Sequence, residues 1–521
     1  MTDAPRSVPV DAHAAAHLSS RSRGLAAVVR HPYSLAAVLA LLVARPGVIA
    51  ATNVIADPDL WWVAAAGRIM RATGHVPDAN MFSFSEPHHP WVMHEWLFAR
   101  PYAALLERAG APAFSLVAAL ACVATLAPVL AVASRARHAI TALLVVFLAT
   151  TVFELRMITP RPPHVALVFA TALAALAFRE TFTRRHVIVA GALGLLWTNA
   201  HGRFPLGLAL LASGAMSGLP GRRERAVGAA AFALATLCNP YGLRLHALVL
   251  SYMLGSEGSM SVVHGHVTEF AWLGRALARG YLDPVRLTGL VAVTSLAAWA
   301  VTRREFRSRG LAALVPCAMT VGQLRHLELA GLVGVIVLAP AMDALLDRQR
   351  TLVTVDAAAL SRTARWILAG ALVAAVIAHA AVRSVRPPQG WVTDDLGGEN
   401  LPALIAALPP HTRLHTSFVQ TGVAIWYGAP RDVRVLYDLR NDCYGRETAL
   451  DAVVLEKAPP GSAEALAVLT RRGVEAVIVR ATHSLAATLR GAAGWRESAR
   501  RGGLVTYTPR AGGDVPLSGR R

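Results

Sequence analysis

The chain has 521 residues, of which 55% are hydrophobic and only 16% are charged. Soluble globular proteins carry about a quarter charged residues, so this composition excludes an ordinary soluble domain. The formal net charge is +19, but the basic residues cluster in short loops between apolar segments. This is the topology bias of membrane proteins and not a nucleic-acid site. The composition therefore predicts an α-helical polytopic membrane protein.

Residues 1–33 read as a flexible polar arm without the short apolar core of a signal peptide, so we expect the first apolar segment to remain as an anchor. About eleven transmembrane helices follow, with a working length of about 20 residues each. Arg45-Pro46 interrupts the first of them, and the fifth and sixth form either two helices or one broken helix. The spans are expected at 34–54, 113–133, 139–157, 164–178, 187–200, 204–219, 226–240, 285–301, 311–324, 327–345 and 365–384.

Arginine-rich loops alternate along the chain and fall on one side of the predicted membrane. The positive-inside rule makes that side cytoplasmic, together with the N-terminus. The loop at 56–112 and everything after the last span are then extracytoplasmic. The basic loops are Arg135–His138, Arg179–His186, Arg222–Arg225, Arg303–Arg309 and Arg348–Arg365.

The first outer loop, 56–112, combines carboxylates with paired tryptophans. Its pattern predicts one helix at Trp61–Thr73, ended by Gly74, and a second at Trp91–Ala109, ended before Gly110. Aromatic residues at both helix starts favour the headgroup zone, so we expect two helices lying on the membrane surface.

Three readings of the loop's acidic residues stay open. Asp57 and Asp59 flank a proline that keeps the segment extended, and they suit a general base or metal ligands. Alternatively, Asp59 caps the helix that follows it. His94-Glu95 on the second helix suits either a site or a solvated face.

Polar residues recur where later spans meet the outer face, and arginine forks among them suit phosphate oxygens. Charges at membrane depth need partners, so five clusters on one face indicate a basic pocket. The clusters are Arg156, Arg161 and His164; Asn199, His201 and Arg203; Asn239, Tyr241, Arg244 and His246; Arg325, His326 and Glu328; and Glu257, His264, His266 and Glu269.

Residues 390–510 change character and predict a small extracytoplasmic α/β domain. Strands are expected at Leu414–Phe418, Val433–Tyr437, Ala476–Val479 and Leu504–Tyr507, with helices at Leu401–Leu408 and Ala463–Arg472. No glycine-rich phosphate loop follows a strand, and we expect the tail, 511–521, to be disordered. Cys122, Cys238 and Cys317 read as core residues, while Cys443 stands alone without metal-ligand spacing.

Several short motifs together resemble the GT-C glycosyltransferases, which are polytopic enzymes with an acidic motif in the first outer loop. Asp59-Leu60-Trp61-Trp62 looks like their Asp-Glu-x-aromatic-aromatic pattern. The order and spacing of the motifs resemble a bacterial branch of that group with a C-terminal outer domain. The other motifs are Asp57-Pro58, Pro90-Trp91, His94-Glu95-Trp96-Leu97, Arg161-Pro162, Asn199-Ala200-His201-Gly202, Asn239-Pro240-Tyr241-Gly242 and Arg325-His326.

The resemblance implies a GT-C-like domain over 34–386 in the bacterial inner membrane, and inverting sugar transfer from a polyprenyl-phosphate donor to an extracytoplasmic acceptor. Asp59 would be the general base, and Asp57 or Glu95 would orient the acceptor or hold a divalent cation, Mg²⁺ or Mn²⁺. Phosphate-stabilising candidates are Arg161, His201, Arg244, Arg325 and His326. Further substrate contacts are expected at His94, Trp61, Trp62, Asn199, Arg203, Asn239 and Tyr241.

Three positions depart from the pattern of these relatives. Leu60 stands where many have glutamate, and Val63 where a polar residue is expected, which weakens the case for a metal. Arg203 replaces a more usual glycine. Two other functions remain open: a transporter or flippase for a lipid-linked or anionic solute, and a non-catalytic membrane anchor for the outer domain. A transporter would show internal repeats, and none is visible in the sequence.

Overall fold

The computed structural model describes residues 32–159, 164–254, 262, 267–347, 354, 356–440 and 442–510. The expectations for the N-terminal arm up to residue 31, for the tail at 511–521, and for Arg161, Glu257, His264 and His266 lie outside this part of the chain.

The membrane-embedded part is built from apolar helices joined by short loops. The helices up to residue 254 are α1 Pro32–Thr52, α2 Asp59–Thr73, α3 Trp96–Ala109, α4 Pro112–Ala133, α5 Ala139–Phe147, α6 Leu155–Ile158, α7 His164–Ala177, α8 Arg184–Thr198, α9 Pro205–Ala215, α10 Arg222–Ala235 and α11 Leu243–Leu254. They continue with α12 Leu273–Ala278, α13 Pro284–Thr302, α14 Arg307–Gly322, α15 Leu327–Leu346 and α16 Ala357–Val385. A π-helical turn at Leu148–Val152 extends α5.

Five helical segments in the described part of the chain are long and apolar enough to cross a bilayer: Tyr33–Thr52, Pro112–Ala133, Pro284–Thr302, Leu324–Leu346 and Ala357–Val385. Shorter apolar helices lie at Ala139–Val152, His164–Ala177, Pro205–Ala215 and Leu243–Met253. The predicted spans at 187–200, 226–240 and 311–324 are helical as α8, α10 and α14. The chain is therefore a multi-helix protein with several apolar spans, and the total of eleven crossings stays a prediction.

Arg45-Pro46 does not interrupt the first span. Pro46 lies inside the continuous helix α1, and Arg45 pairs with Glu154 across an Nη1–Oε2 distance of 2.6 Å. A charge at this depth needs such a partner. The ion pair therefore explains how an arginine is accommodated within an otherwise apolar helix.

Residues after α16 form a five-stranded mixed sheet with helices. The strands are β1 Arg413–Thr416, β2 Arg434–Val435, β3 Ala476–Arg480, β4 Trp495–Arg501 and β5 Leu504–Pro509, and the helices are α17 Asn400–Ala407, α18 Thr421–Gly428, α19 Arg446–Lys457, α20 Ala463–Arg471 and α21 Ser484–Gly491. The sheet order is β2-β1-β3-β5-β4. β1 is parallel to β2 and β3, and β5 is antiparallel to β3 and β4. The predicted α/β character is confirmed, although β4 was not predicted.

The first outer loop adds to the edge of this sheet. Ser83 forms a parallel bridge with Val435, and the Val435 amide donates to the Phe82 carbonyl at 2.9 Å. Glu86 accepts hydrogen bonds from the Gly445 amide and the Thr448 hydroxyl. The loop and the C-terminal region therefore lie on the same side of the molecule, as the alternation of loops predicts.

The cysteines follow the prediction with one exception. Cys122 and Cys317 are buried, as expected of core residues, whereas Cys238 is exposed. Cys238 follows α10, after the helix has ended at Ala235, so its apolar neighbourhood in the sequence does not bury it. Cys443 is a buried free thiol.

Candidate functional site

The acidic turn Asp57-Pro58-Asp59 opens helix α2. The Asp59 amide donates to Asp57 Oδ1 at 2.9 Å, and the Trp62 indole N–H donates to Asp59 Oδ1 at 3.0 Å. Asp59 does not cap the helix, because Pro58 is the N-cap residue, and the amide of Asp59 donates to Asp57. Asp59 is the first residue of the helix, half-buried, and its carboxylate is oriented by the Trp62 ring.

Gly422, in helix α18, brings the C-terminal region against this turn. A Cβ at Gly422 would lie 1.9 Å from the Pro58 carbonyl oxygen, so only glycine permits the observed approach. On the same helix, Trp426 packs under the Arg68 guanidinium, whose carbon lies 4.1 Å from the ring centroid. The position of Asp59 is thus fixed from two sides, by its own helix and by α18.

Helix α3, the second helix of the first outer loop, begins later in the sequence than predicted. It starts at Trp96, so His94 and Glu95 lie in the preceding turn and not on the helix. The Met93 amide donates to the Tyr241 hydroxyl at 3.0 Å, and Asn199 Oδ1 accepts from the Trp96 indole at 2.9 Å. These long-range contacts hold residues 93–96 in a turn, although the local sequence predicts a helix there.

The loop's tryptophans face protein and not lipid. Trp61, Trp62 and Trp91 are buried, and the ring centroids of Trp62 and Trp91 are 6.0 Å apart. The C-terminal region covers these rings, and the location of the loop in the headgroup zone stays a prediction.

His94, Glu95 and His201 form a compact cluster. His94 Nε2 lies 2.8 Å from Glu95 Oε1, and the two imidazole centroids are 5.7 Å apart with the rings edge to face. One ligand atom from each of the three residues lies within 4.8 Å of the others. Burial disfavours the charged imidazole, but Glu95 and Asp442 outweigh it and raise the pKa of His94.

This cluster fits a cation better than the aspartate pair does. Two imidazoles and a carboxylate are a common ligand set for transition metals. Glu95 Oε2 is buried and has no hydrogen-bond partner among the described residues. Among the same residues, Asp57 and Asp59 do not belong to a group with metal-ligand spacing. The sequence analysis named Glu95 as a candidate ligand and did not group it with His94 and His201.

Basic side chains from the loop after α8 and the start of α15 lie beside the cluster. Arg203 is 7% exposed, its amide donates to His201 Nδ1 at 3.3 Å, and its guanidinium contacts the Arg325 carbonyl at 3.5 Å. The Arg325 guanidinium lies over the Phe270 ring at 4.6 Å. Arg203 and Arg325 both act electrostatically on His326. These three predicted residues therefore gather, as a basic pocket requires.

Other predicted residues have structural or peripheral positions. Asn239 closes the turn before α11 by donating to the Thr236 and Gly242 carbonyls. Arg244 is exposed on α11. Arg156 is paired with Glu269 and Glu328, each at 3.1 Å, so its charge is balanced within the protein.

The C-terminal region supplies residues that the sequence analysis missed. Arg440 is 3% exposed and pairs with Asp438 at 2.7 Å. Its guanidinium also donates to Asn80 Oδ1 at 2.7 Å and lies 4.5 Å from the centre of the Trp91 ring. This contact connects the sheet to the first loop over the rings of Trp62 and Trp91.

Asp442, two residues further on, reaches the His94 cluster. Burial raises the pKa of the Asp442 carboxyl although the His94 imidazole opposes this, and Tyr252 donates to Asp442 Oδ1 at 3.4 Å. A signal for both residues was present in the sequence, because a polar run directly follows the predicted strand Val433–Tyr437. Their first-loop partners, Asn80 and His94, lie more than 300 residues away, and no local pattern identifies such partners.

Comparisons with known proteins agree with this architecture. No family model matches the chain, and no curated protein matches it. The Archaeoglobus fulgidus oligosaccharyltransferase, solved with a tethered acceptor peptide, superposes with a TM-score of 0.50 at 12% identity, over 86% of this chain and 69% of that one.

Two further solved structures match at lower TM-scores. Cupriavidus metallidurans ArnT bound to undecaprenyl phosphate gives a TM-score of 0.49 at 14% identity, over 92% of this chain and 98% of that one. The mycobacterial arabinofuranosyltransferase AftD gives a TM-score of 0.44 at 14% identity, over 91% of this chain and 40% of that one. The chain therefore shares the fold of the Archaeoglobus oligosaccharyltransferase over 86% of its length.

Proposed function

We propose that the protein is a membrane glycosyltransferase that moves a sugar from a polyprenyl-phosphate donor to an extracytoplasmic acceptor with inversion. The observation that carries this proposal is the acidic turn at the start of α2, held in place by α18 within a GT-C-like fold. The Archaeoglobus oligosaccharyltransferase supports the reaction class through its fold. The polyprenyl-phosphate donor is taken from the motif resemblance.

Asp59 is the general base in this proposal. Its carboxylate accepts the proton of the acceptor hydroxyl as that oxygen bonds to the anomeric carbon, because a neutral alcohol is a poor nucleophile. The bond between the anomeric carbon and the phosphate oxygen breaks, and its electron pair stays on the phosphate. Asp57 positions the base by accepting the Asp59 amide, and Trp62 orients the carboxylate by donating to it.

The basic pocket takes the leaving phosphate. Arg203 and Arg325 have guanidinium groups suited to phosphate oxygens, and His201 lies between them and the first loop. Charge that develops on the phosphate is stabilised by donors already in place. His326 is held in the same group of charges. Arg244, the remaining described phosphate-stabilising candidate, is exposed on α11.

A divalent cation would be held by His94, Glu95 and His201 and would supply Lewis-acid stabilisation of phosphate charge. The test is binding of Mn²⁺ to the purified chain, measured by equilibrium dialysis. Wild type is expected to bind one ion per chain, and His201→Ala none. His88→Ala, which removes an exposed first-loop histidine, is the control. Unchanged stoichiometry in His201→Ala would remove the cation from the proposal.

Sugar transfer is tested in a deletion strain by profiling lipid-linked oligosaccharides and envelope glycans. We expect one glycan to lose a sugar, wild type to restore it, and Asp59→Asn to fail while inserting normally. Asp78→Asn, an exposed carboxylate of the same loop, should restore it. Full restoration by Asp59→Asn would exclude this residue as the base, and an unchanged glycan profile would favour the transporter or anchor alternatives.

A further inference from the structure

A cavity of about 510 Å³ lies on the other side of the first loop. It is bounded by the end of α3, the end of α16 and helix α18, and its lining includes Trp61 but none of Asp57, Asp59 or Glu95. Consecutive helix residues point about 100° apart. Trp62 therefore contacts Asp59 while Trp61 lines this cavity, with the first turn of α2 between the two regions.

Two tryptophans that line the cavity carry buried indole N–H groups without acceptors in the described part of the chain. Trp61 is 3% and Trp391 0% exposed. The indole N–H of each is buried and has no partner among the described residues. Buried donors are rarely left unpaired in native proteins, because an unmade hydrogen bond leaves the cost of removing the donor from water uncompensated. The described part of the protein therefore leaves two donors unsatisfied in the wall of the cavity.

The rest of the lining is aromatic and basic. Trp426 and Tyr427 supply further ring surface, and flat apolar rings pack well against the C–H faces of a sugar. Arg383 and Arg386 lie at the end of α16, opposite a single carboxylate, Glu399. Two guanidinium groups against one carboxylate favour a ligand that carries a negative charge.

The position of Arg386 is fixed before any ligand binds. Its Nη1 donates to the Thr52 carbonyl at 2.7 Å, and its guanidinium carbon lies 4.6 Å from the Trp391 ring centroid. Arg383 is exposed on the last turn of α16. One basic group is therefore preorganised by its protein contacts, and the other is exposed at the cavity.

We propose that this cavity binds the end of an acidic saccharide, a sugar ring that carries a phosphate or a carboxylate. Cavities of about 300–1,000 Å³ are typical of small-molecule sites. Binding here does not depend on the proposed function, since none of the carboxylates assigned to the chemistry lines the cavity.

The test is saturation-transfer NMR on the purified full-length chain in nanodiscs. The probes are glucose 1-phosphate, glucuronic acid, glucose and inorganic phosphate. The two acidic sugars should bind more tightly than glucose, and phosphate alone should bind weakest. Arg383→Ala should weaken the acidic sugars about two- to fivefold, whereas Glu399→Gln should strengthen them. Ala111→Phe, which fills the cavity, should abolish the signal.

Arg490→Ala, an exposed arginine on α21, is the control and should change nothing. Equal binding in wild type, Arg383→Ala and Glu399→Gln would overturn the proposal, as would a full signal in Ala111→Phe. Phosphate binding as tight as glucose 1-phosphate, displaced by phosphatidylglycerol, would make the site a lipid-phosphate site and also overturn it. Asp59→Asn should keep binding while it loses transfer, which separates this proposal from the proposed function.

Discussion

The two sides of the first turn of α2 differ in how their polar groups are satisfied. On the Trp62 side, Asp59 and Arg440 make hydrogen bonds to neighbouring protein groups, and the C-terminal region closes over them. On the Trp61 side, two indole donors are buried without acceptors beside an open cavity. A network completed within the protein can orient reacting groups, whereas unpaired donors indicate a place for a ligand.

The largest effect, on the free energy of unfolding, is expected from removing the Arg440 contacts that join the C-terminal region to the Trp62 side. Arg440→Met leaves the buried Asp438 carboxylate unpaired, which should lower the free energy of unfolding by about 3–5 kcal/mol. Denaturant unfolding of the solubilised chain measures this. The double variant Asp438→Asn/Arg440→Met should recover part of the loss, because it removes the unpaired charge.

The matched control for that variant is Arg434→Met. Arg434 pairs with Asp432 at a half-exposed position, where an ion pair contributes only about 0–1 kcal/mol. Similar losses in Arg440→Met and Arg434→Met would show that the Arg440 contact does not close the first loop.

A second variant displaces the carboxylate of Asp59 without removing it. Gly422→Val places atoms against the Pro58 carbonyl and should displace Asp59. A displacement of about 1 Å costs about 10²-fold in rate, so transfer should fall by that factor while binding in the Trp61 cavity persists. Gly491→Val is the control, since a Cβ there meets nothing within 4 Å. Full transfer activity in Gly422→Val would mean that the turn is not held by α18.

The smallest expected effect is on the pH dependence of stability. It arises in the C-terminal sheet, away from both sides of the first turn of α2. Burial, with a smaller effect from His483, lowers the pKa of His415 to about 3, whereas the unfolded chain titrates near 6.5. As the pH falls, His415 is therefore protonated in the unfolded chain before it is protonated in the folded one. The free energy of unfolding should fall by about 2 kcal/mol between pH 7 and pH 5.

The His415→Leu variant isolates this contribution. It removes the titrating group, so its melting temperature should depend less on pH than that of wild type. An identical pH dependence in both proteins would assign the acid sensitivity to other groups.

Local features of the molecule were predictable from the sequence. The helix ended by Gly74, four of the strands and the glycine-free helices at 401–408 and 463–472 follow from hydrophobic periodicity and turn residues. The start of α3 at Trp96 could not be predicted from local sequence. Asn199 and Tyr241, which are distant in the chain, hydrogen-bond to Trp96 and Met93 and hold the preceding turn.

The composition of the site was predictable only in part. Asp59, Glu95 and His201 were identified by their motifs, but that His94, Glu95 and His201 form one cluster depends on how α8 packs against the first loop. The contributions of Arg440 and Asp442 depend on folding of the C-terminal sheet over residues 82–84. Periodicity specifies which face of an element is buried and not which distant side chain it meets.

The central claim is tested most directly by reconstituting the purified chain with a radiolabelled polyprenyl-phosphate sugar and a membrane extract of acceptors. Wild type is expected to produce a labelled acceptor, and Asp59→Asn should be slower by about 10²–10⁴-fold with its unfolding transition unchanged. Equal rates for the two proteins, with both correctly folded, would contradict the account.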